Sequence, residues 1–150
     1  MMQWRICVSL FFLALPALVE AQDASCTYAS CALRIEGGFF RTRILAGEQG
    51  AAVARIGGFG TDLEKRVTLP DSALVHLRRA NSSMRTAGVL SIIGGAGILY
   101  ASFATGAPDS NRAVAAVAGL GFTFTSSFFT RSGGNELSRA LWWYNAQFAH

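Results

Sequence analysis

Between Thr86 and Thr130 the chain carries two apolar segments, Ala87–Thr105 and Ala113–Thr130, and neither contains Asp, Glu, Lys, Arg or His. A short polar link, Gly106-Ala-Pro-Asp-Ser-Asn-Arg112, separates them. At 1.5 Å per residue each segment makes a helix of about 27–29 Å, close to the ~30 Å of a hydrocarbon core. A soluble helix of that length keeps a charged face for water, and these segments have none. The competing reading is a buried helical pair in a globular core. It needs more covering chain than 150 residues supply. The pattern predicts a transmembrane helical hairpin, and that hairpin limits what the rest of the chain can do.

Only 15% of the residues are charged, against about 25% in soluble domains. The deficit lies in the two segments and at the N-terminus. Met1-Met-Gln-Trp-Arg5 followed by apolar Ile6–Val19, with Pro16 near its end, reads as a secretory signal peptide. Val19-Glu20-Ala21 puts small residues where a signal peptidase reads, so residues 1–21 are the expected leader and Gln22 the mature start. An uncleaved anchor is the rival reading, and Pro16 and the shortness of the stretch count against it.

Cys7 falls in this leader, which leaves Cys26 and Cys31 as an even pair. In an oxidising compartment such a pair predicts a disulfide. The chain-entropy relation gives roughly 2 kcal/mol for so short a ring. Four residues between the cysteines is too wide a spacing for a thioredoxin-type redox motif. A metal site would need further ligands close by.

The net charge of +4 comes from 13 basic and 9 acidic residues, and every basic residue but Lys65 is Arg. The arginines do not interleave with a stacking aromatic platform, so nucleic-acid binding is a poor account of the charge. Contact with anionic lipid headgroups is the simpler one.

Residues 22–70 read as a small β module. Leu33 and Ile35 alternate with Arg34 and Glu36, Gly37-Gly38 offers a two-residue turn, and Phe39–Ala46 returns with Phe40, Thr42 and Ile44 on one side and Arg41 and Arg43 on the other. Gly47-Glu-Gln-Gly50 is a second turn, Ala51–Ile56 a third strand ended by Gly57-Gly-Phe-Gly60, and Arg66–Leu69 a possible short fourth. From Pro70, with Asp71 or Ser72 as N-cap, residues 71–85 predict an amphipathic helix lying on the membrane, its Arg78, Arg79 and Arg85 toward phosphate headgroups. For Arg78 and Arg79 a solvated charged face serves equally well. After the spans, Arg131-Ser-Gly-Gly134 reads as a flexible joint and residues 131–150 as a second interfacial helix. Its Trp142, Trp143 and Tyr144 suit the headgroup level. The aromatic face of that helix also suits packing on the sheet.

The expected architecture is thus an α+β membrane protein: a small antiparallel β-sheet module of three or four strands, a two-helix transmembrane hairpin (86–130) and a C-terminal amphipathic helix. Small residues recur four apart inside the spans: Ala87, Ser91 and Gly95; Gly97, Ala101 and Thr105; Ala115, Gly119, Thr123 and Ser127. Such rows let helices approach closely in lipid. They serve either the hairpin alone or a homo-oligomer as well.

Signals for chemistry are sparse. His76 and His150 are the two histidines, no Ser or Cys sits in a nucleophile turn, and Gly57–Gly60 lacks the setting of a phosphate loop. Asp62 and Glu64 share a strand side, an arrangement usually solvated. Asn81-Ser-Ser83 matches a glycosylation acceptor, a tripeptide common by chance. No cofactor and no metal is expected.

Cys26-Thr-Tyr-Ala-Ser-Cys-Ala-Leu-Arg34, the small-residue spans and the ending Leu137-Ser-Arg-Ala-Leu-Trp-Trp-Tyr-Asn145 resemble small bacterial envelope proteins with a signal peptide and two membrane spans. The resemblance covers most of the chain beyond the leader. It implies a bacterial envelope setting and brings no activity and no site residues.

The functional expectation is a non-enzymatic accessory or assembly subunit of the inner membrane, its N-terminal module and C-terminus facing the periplasm and its partners the bilayer and a larger complex. The alternative is a self-associating channel, with Thr123, Thr125, Ser126 and Ser127 as a hydroxyl-lined path. The orientation runs against the positive-inside rule. The link holds only Arg112, balanced by Asp109, while Arg78, Arg79, Arg85, Arg131 and Arg139 flank the other ends.

Overall fold

The computed structural model describes residues 26–37 and 42–148. The expected leader with Cys7, the Phe39–Arg41 part of the second strand, and His150 lie outside the described residues.

A single helical turn, α1 (Tyr28–Cys31), precedes four strands, β1 (Leu33–Gly37), β2 (Thr42–Ala46), β3 (Ala51–Gly57) and β4 (Gly60–Thr61). They form one antiparallel sheet in the order β1-β2-β3-β4. Gly37 pairs with Thr42, so the first connection is residues 38–41 rather than a two-residue Gly37-Gly38 turn. At the second turn the amide of Gly47 donates to the carbonyl of Ala32 at 2.9 Å, and its φ of 63° is one that glycine adopts without strain. A register shift at Ile44/Leu45 breaks the alternation of β2 and buries both side chains. On β1, Leu33 is buried but Ile35 is exposed, because the far end of that strand leaves the core.

The fourth strand is not Arg66–Leu69. It is the two-residue β4, reached through the Gly58-Phe59 turn. A 3-10 turn, Leu63–Lys65, follows, and Leu69 drops into the core.

Two helices complete the chain, α2 (Asp71–Phe103, 33 residues) and α3 (Asp109–Ala146, 38 residues). Both begin after a proline, Pro70 and Pro108, with Asp in the first turn. Neither Asp71 nor Ser72 is the N-cap; Pro70 is, without a side-chain cap. The connection is only residues 104–108, shorter than the link the charge pattern suggests. In the first turn of α3 Arg112 folds back and its Nε donates to the Ala101 carbonyl at 3.0 Å, satisfying one of the orphan acceptors at the end of α2.

The structure departs most from the sequence reading in the continuity of these helices. The boundary expected at residue 85/86 and the joint expected at Arg131–Gly134 are both plain helix. Where two interfacial helices and two spans were expected, two rods of about 50 and 57 Å stand side by side. Facing pairs along them keep one antiparallel register. A methyl on Gly133 would reach Met84 Cγ at 2.8 Å, Ser91 and Ser126 share a hydrogen bond between Oγ atoms at 2.6 Å, a methyl on Gly94 would reach Thr123 Oγ1 at 2.6 Å, and one on Gly119 the Ile98 amide at 2.9 Å. In α2 the buried positions Ala73, Leu77, Ala80, Met84, Ala87 and Gly94 recur with alternating four- and three-residue steps once Ser91 is included. This is the heptad spacing of a coiled-coil seam. Extending the register by whole turns places Leu77 opposite Ala140 and Leu137 opposite Ala80, in each of these pairs a large side chain meeting a small one.

The sheet lies against the polar halves of both rods. Leu33, Ile44, Ala54, Leu63 and Leu69 join Ala73, Leu77, Ala80, Met84, Leu137, Ala140, Leu141 and Tyr144 in a single core. Beyond it both helices turn apolar outward and are long and apolar enough to cross a membrane. Only 11% of the most apolar window of each is buried, which is not the pattern of a soluble core helix.

Candidate functional site

The place where the apolar windows meet the sheet module is the part of the molecule with a distinctive surface. On the α2 flank facing β4, Arg78 and Arg85 lie two turns apart. Arg78 donates from Nη2 to Glu64 Oε1 at 2.8 Å, so it is an ion pair at the module surface rather than a free headgroup ligand. Arg85 lies two residues before the apolar segment and makes no ion pair among the described residues. With Glu64, Arg78, Asn81, Ser82 and Thr86 it lines an open groove of about 400 Å³. Arg79 lies on the opposite flank, where its charge acts on Glu136.

Glu136 links the two rods. His76 Nδ1 donates to its Oε2 at 2.7 Å, and Arg139 Nη1 lies 2.9 Å from its Oε1. The bond from His76 first, then the charges of Arg139 and Arg79, outweigh desolvation and hold the carboxyl below its ordinary value of 4.5. A depressed carboxylate stabilises the fold above its unfolded pKa, and that stability is lost as pH falls through the folded one. Thermal stability in detergent is therefore expected to decline below about pH 4.5, and the Glu136→Gln variant should lose less over that window. An equal decline in both proteins would remove Glu136 from the account.

The aromatic cluster at the end of α3 divides. Tyr144 is 7% exposed, its ring packed edge-on against Phe148 at 5.3 Å, and burial pushes its phenol pKa up. It belongs to the core and not to a membrane interface. Trp142 and Trp143 are exposed and stack edge to face at 4.9 Å. Because α3 is unbroken, they stand about 18 Å along the axis beyond Thr130. A headgroup layer is only about 5–8 Å deep, so this position lies outside an aromatic belt at the end of the apolar segment.

Of the residues expected to pack the spans, Ser91, Ala115, Gly119 and Thr123 meet the partner helix. The Ala115 carbonyl would lie 2.9 Å from a methyl on Gly97. Gly95 does not take part: a side chain there would meet nothing within 4 Å, and its neighbour Gly94 occupies the seam. The hydroxyls imagined as a path are already bonded. Thr123, Thr125 and Ser127 donate to the carbonyls of Gly119, Gly121 and Thr123, and Ser126 pairs with Ser91.

Cys26 and Cys31 lie at disulfide distance across α1, with Cα atoms 5.6 Å apart. Asp62 and Glu64 do not act as a pair. Asp62 accepts from the Arg55 amide and from Arg66, while Glu64 faces Arg78. Among the described residues no three His, Cys, Asp or Glu side chains are grouped to hold a metal ion.

Two asparagines carry a structural role that no sequence pattern marks. Asn81 accepts from the Thr61 amide at 2.8 Å and donates to the Thr61 carbonyl at 3.2 Å. Asn145 does the same to Leu33, at 2.7 and 2.8 Å. Each helix thus clamps one edge of the sheet, β4 or β1, and occupies backbone groups that would otherwise pair with another chain.

No known protein family, no curated protein and no solved structure matches the chain.

Proposed function

We propose that the chain is a non-enzymatic membrane protein of the bacterial cell envelope, an accessory or assembly subunit that presents a small sheet module on a stiff helical stalk. In this reading α2 and α3 cross the inner membrane, and the module and the C-terminus face the periplasm. The observation that carries it is the unbroken seam. One antiparallel register runs from Met84/Gly133 outside the apolar segments to Ile98/Gly119 within them. The module is therefore fixed in height and orientation above the bilayer instead of swinging on a linker. Such a mount suits an interaction subunit, and it lifts Trp142 and Trp143 clear of the lipid as an exposed aromatic pair, a residue type enriched in protein interfaces.

The channel reading draws less support, since Ser91, Gly119 and Thr123 are used in packing one hairpin and Thr125 and Ser127 donate to carbonyls of their own helix. Blue-native electrophoresis of gently solubilised membranes tests the proposal. Migration in a complex larger than the monomer is expected, with loss of that complex in the Trp142→Ala/Trp143→Ala variant. Migration as a bare monomer overturns it. Labelling of Ser110→Cys from the periplasmic side of intact cells overturns the orientation.

A further inference from the structure

The β3–β4 turn is locked to α2 at one height. Asn81 holds Thr61, and Gly60 beneath it has φ 117°, a value side-chain-bearing residues rarely adopt. The turn then rests on Gly88, where an added methyl would meet the Gly58 carbonyl oxygen at 2.6 Å and the Phe59 ring at 2.8 Å. Gly88 is the second residue of the apolar segment Ala87–Thr105. Phe59 is thus held against the first apolar turn of α2, yet the residue remains 53% exposed. Arg85 lies about 4.5 Å higher along the helix, from three residues at 1.5 Å each. It lines the groove on the module side of this turn, where the one carboxylate, Glu64, is paired with Arg78, and Arg85 makes no ion pair among the described residues. An apolar ring below and an unpaired guanidinium above is the vertical order of a bilayer interface, acyl and glycerol level first and phosphate level next.

We propose that the β3–β4 turn is a lipid-contact site, in which Phe59 enters the interfacial level of the bilayer and Arg85 takes a lipid phosphate. The inference rests on the reading that α2 and α3 span the membrane. It adds a third point of contact, from the sheet itself, that fixes the module on the lipid surface.

The test uses the full chain in phosphatidylcholine/phosphatidylglycerol vesicles containing brominated lipid. Trp4, Trp142 and Trp143 are replaced by Phe, and one reporter is introduced at a time: Phe59→Trp, the lipid-facing Val117→Trp, or Val75→Trp at the far end of α2. Fluorescence of Phe59→Trp is expected to fall about twofold on bromination near the glycerol level, Val117→Trp to be quenched by deeper bromines, and Val75→Trp to be unaffected. A quenched Val117→Trp with an unquenched Phe59→Trp overturns the lipid-contact site and leaves the spans intact. No quenching at Val117→Trp overturns the membrane-spanning reading and this proposal with it. Adding Arg85→Gln should abolish the dependence of Phe59→Trp quenching on phosphatidylglycerol; an unchanged dependence overturns the role given to Arg85.

Discussion

Replacing Gly94 or Gly119 by Leu is expected to separate the two rods, whereas the same change at Gly95 leaves them joined. A side chain on Gly94 meets the Gly119 carbonyl oxygen at 2.8 Å and the Thr123 amide at 3.0 Å. One on Gly119 meets the Gly94 carbonyl oxygen at 2.7 Å and the Ile98 amide at 2.9 Å. These are backbone atoms of the facing helix, which cannot turn aside as a flexible side chain would. Overpacking a tight core costs about 1–3 kcal/mol and occasionally more, and rigid obstacles put this case at about 3 kcal/mol or above. At Gly95 nothing lies within 4 Å, so the substitution gains up to about 1 kcal/mol of helix propensity instead. Two adjacent glycines thus carry effects of opposite sign. The readout is a cross-link between Ser91→Cys and Ser126→Cys, whose parent hydroxyls share a 2.6 Å hydrogen bond. It should form in the parent and in Gly95→Leu and fail in Gly94→Leu and Gly119→Leu. Equal cross-linking in all four would show that the seam is elsewhere.

The same pair of glycines shows how far the sequence could be read. The hairpin was legible because uncharged length is a strong signal, and most of the sheet because the first two strands alternate in sequence and glycines mark the turns. The phase of the seam was not. Rows four apart pointed to Ser91 and Gly95, but a long antiparallel pair keeps its contact line by alternating steps of four and three, which moves the contact to Gly94. A heptad written in Ala, Gly and Ser contrasts little with its neighbours, so it is faint in hydropathy. Gly133-Gly134 read as a joint because glycine weakens isolated helices. In the fold Gly133 is needed for the close approach of Met84, and the packing outweighs the propensity. The aromatic residues of the C-terminal helix were misplaced for a related reason. A helix that ended at Thr130 would place Trp142 and Trp143 at a membrane surface, while a helix that continues lifts them away and turns Tyr144 into the core.

The clamps left the faintest trace, since a single asparagine in a helix has several bland explanations, and they carry the second large effect. In Asn145→Ala the Leu33 amide loses its acceptor and the Leu33 carbonyl its donor, at bonds of 2.7 and 2.8 Å. Leu33 is buried, so water replaces neither bond without opening the edge. An unsatisfied buried backbone group costs about 1–3 kcal/mol, which puts the loss of both at about 2–5 kcal/mol. β1 holds the rest of its ladder with β2, so the expected consequence is local opening of that edge before global unfolding. Trypsin cleavage after Arg34 and amide exchange along β1 should accelerate while β3 stays protected. Asn145→Asp keeps the acceptor and loses the donor, and its effect should be intermediate. Asn81→Ala frees the other edge, and because β4 is only two residues long its release should be confined to the Gly58-Phe59 turn and Thr61. The two clamps hold opposite edges and share no partner, so their effects should add within about 0.5 kcal/mol in the double variant. Unchanged proteolysis at Arg34 in Asn145→Ala would mean that the ladder with β2 alone holds the strand, and that the clamp only guards the edge against pairing with a second chain.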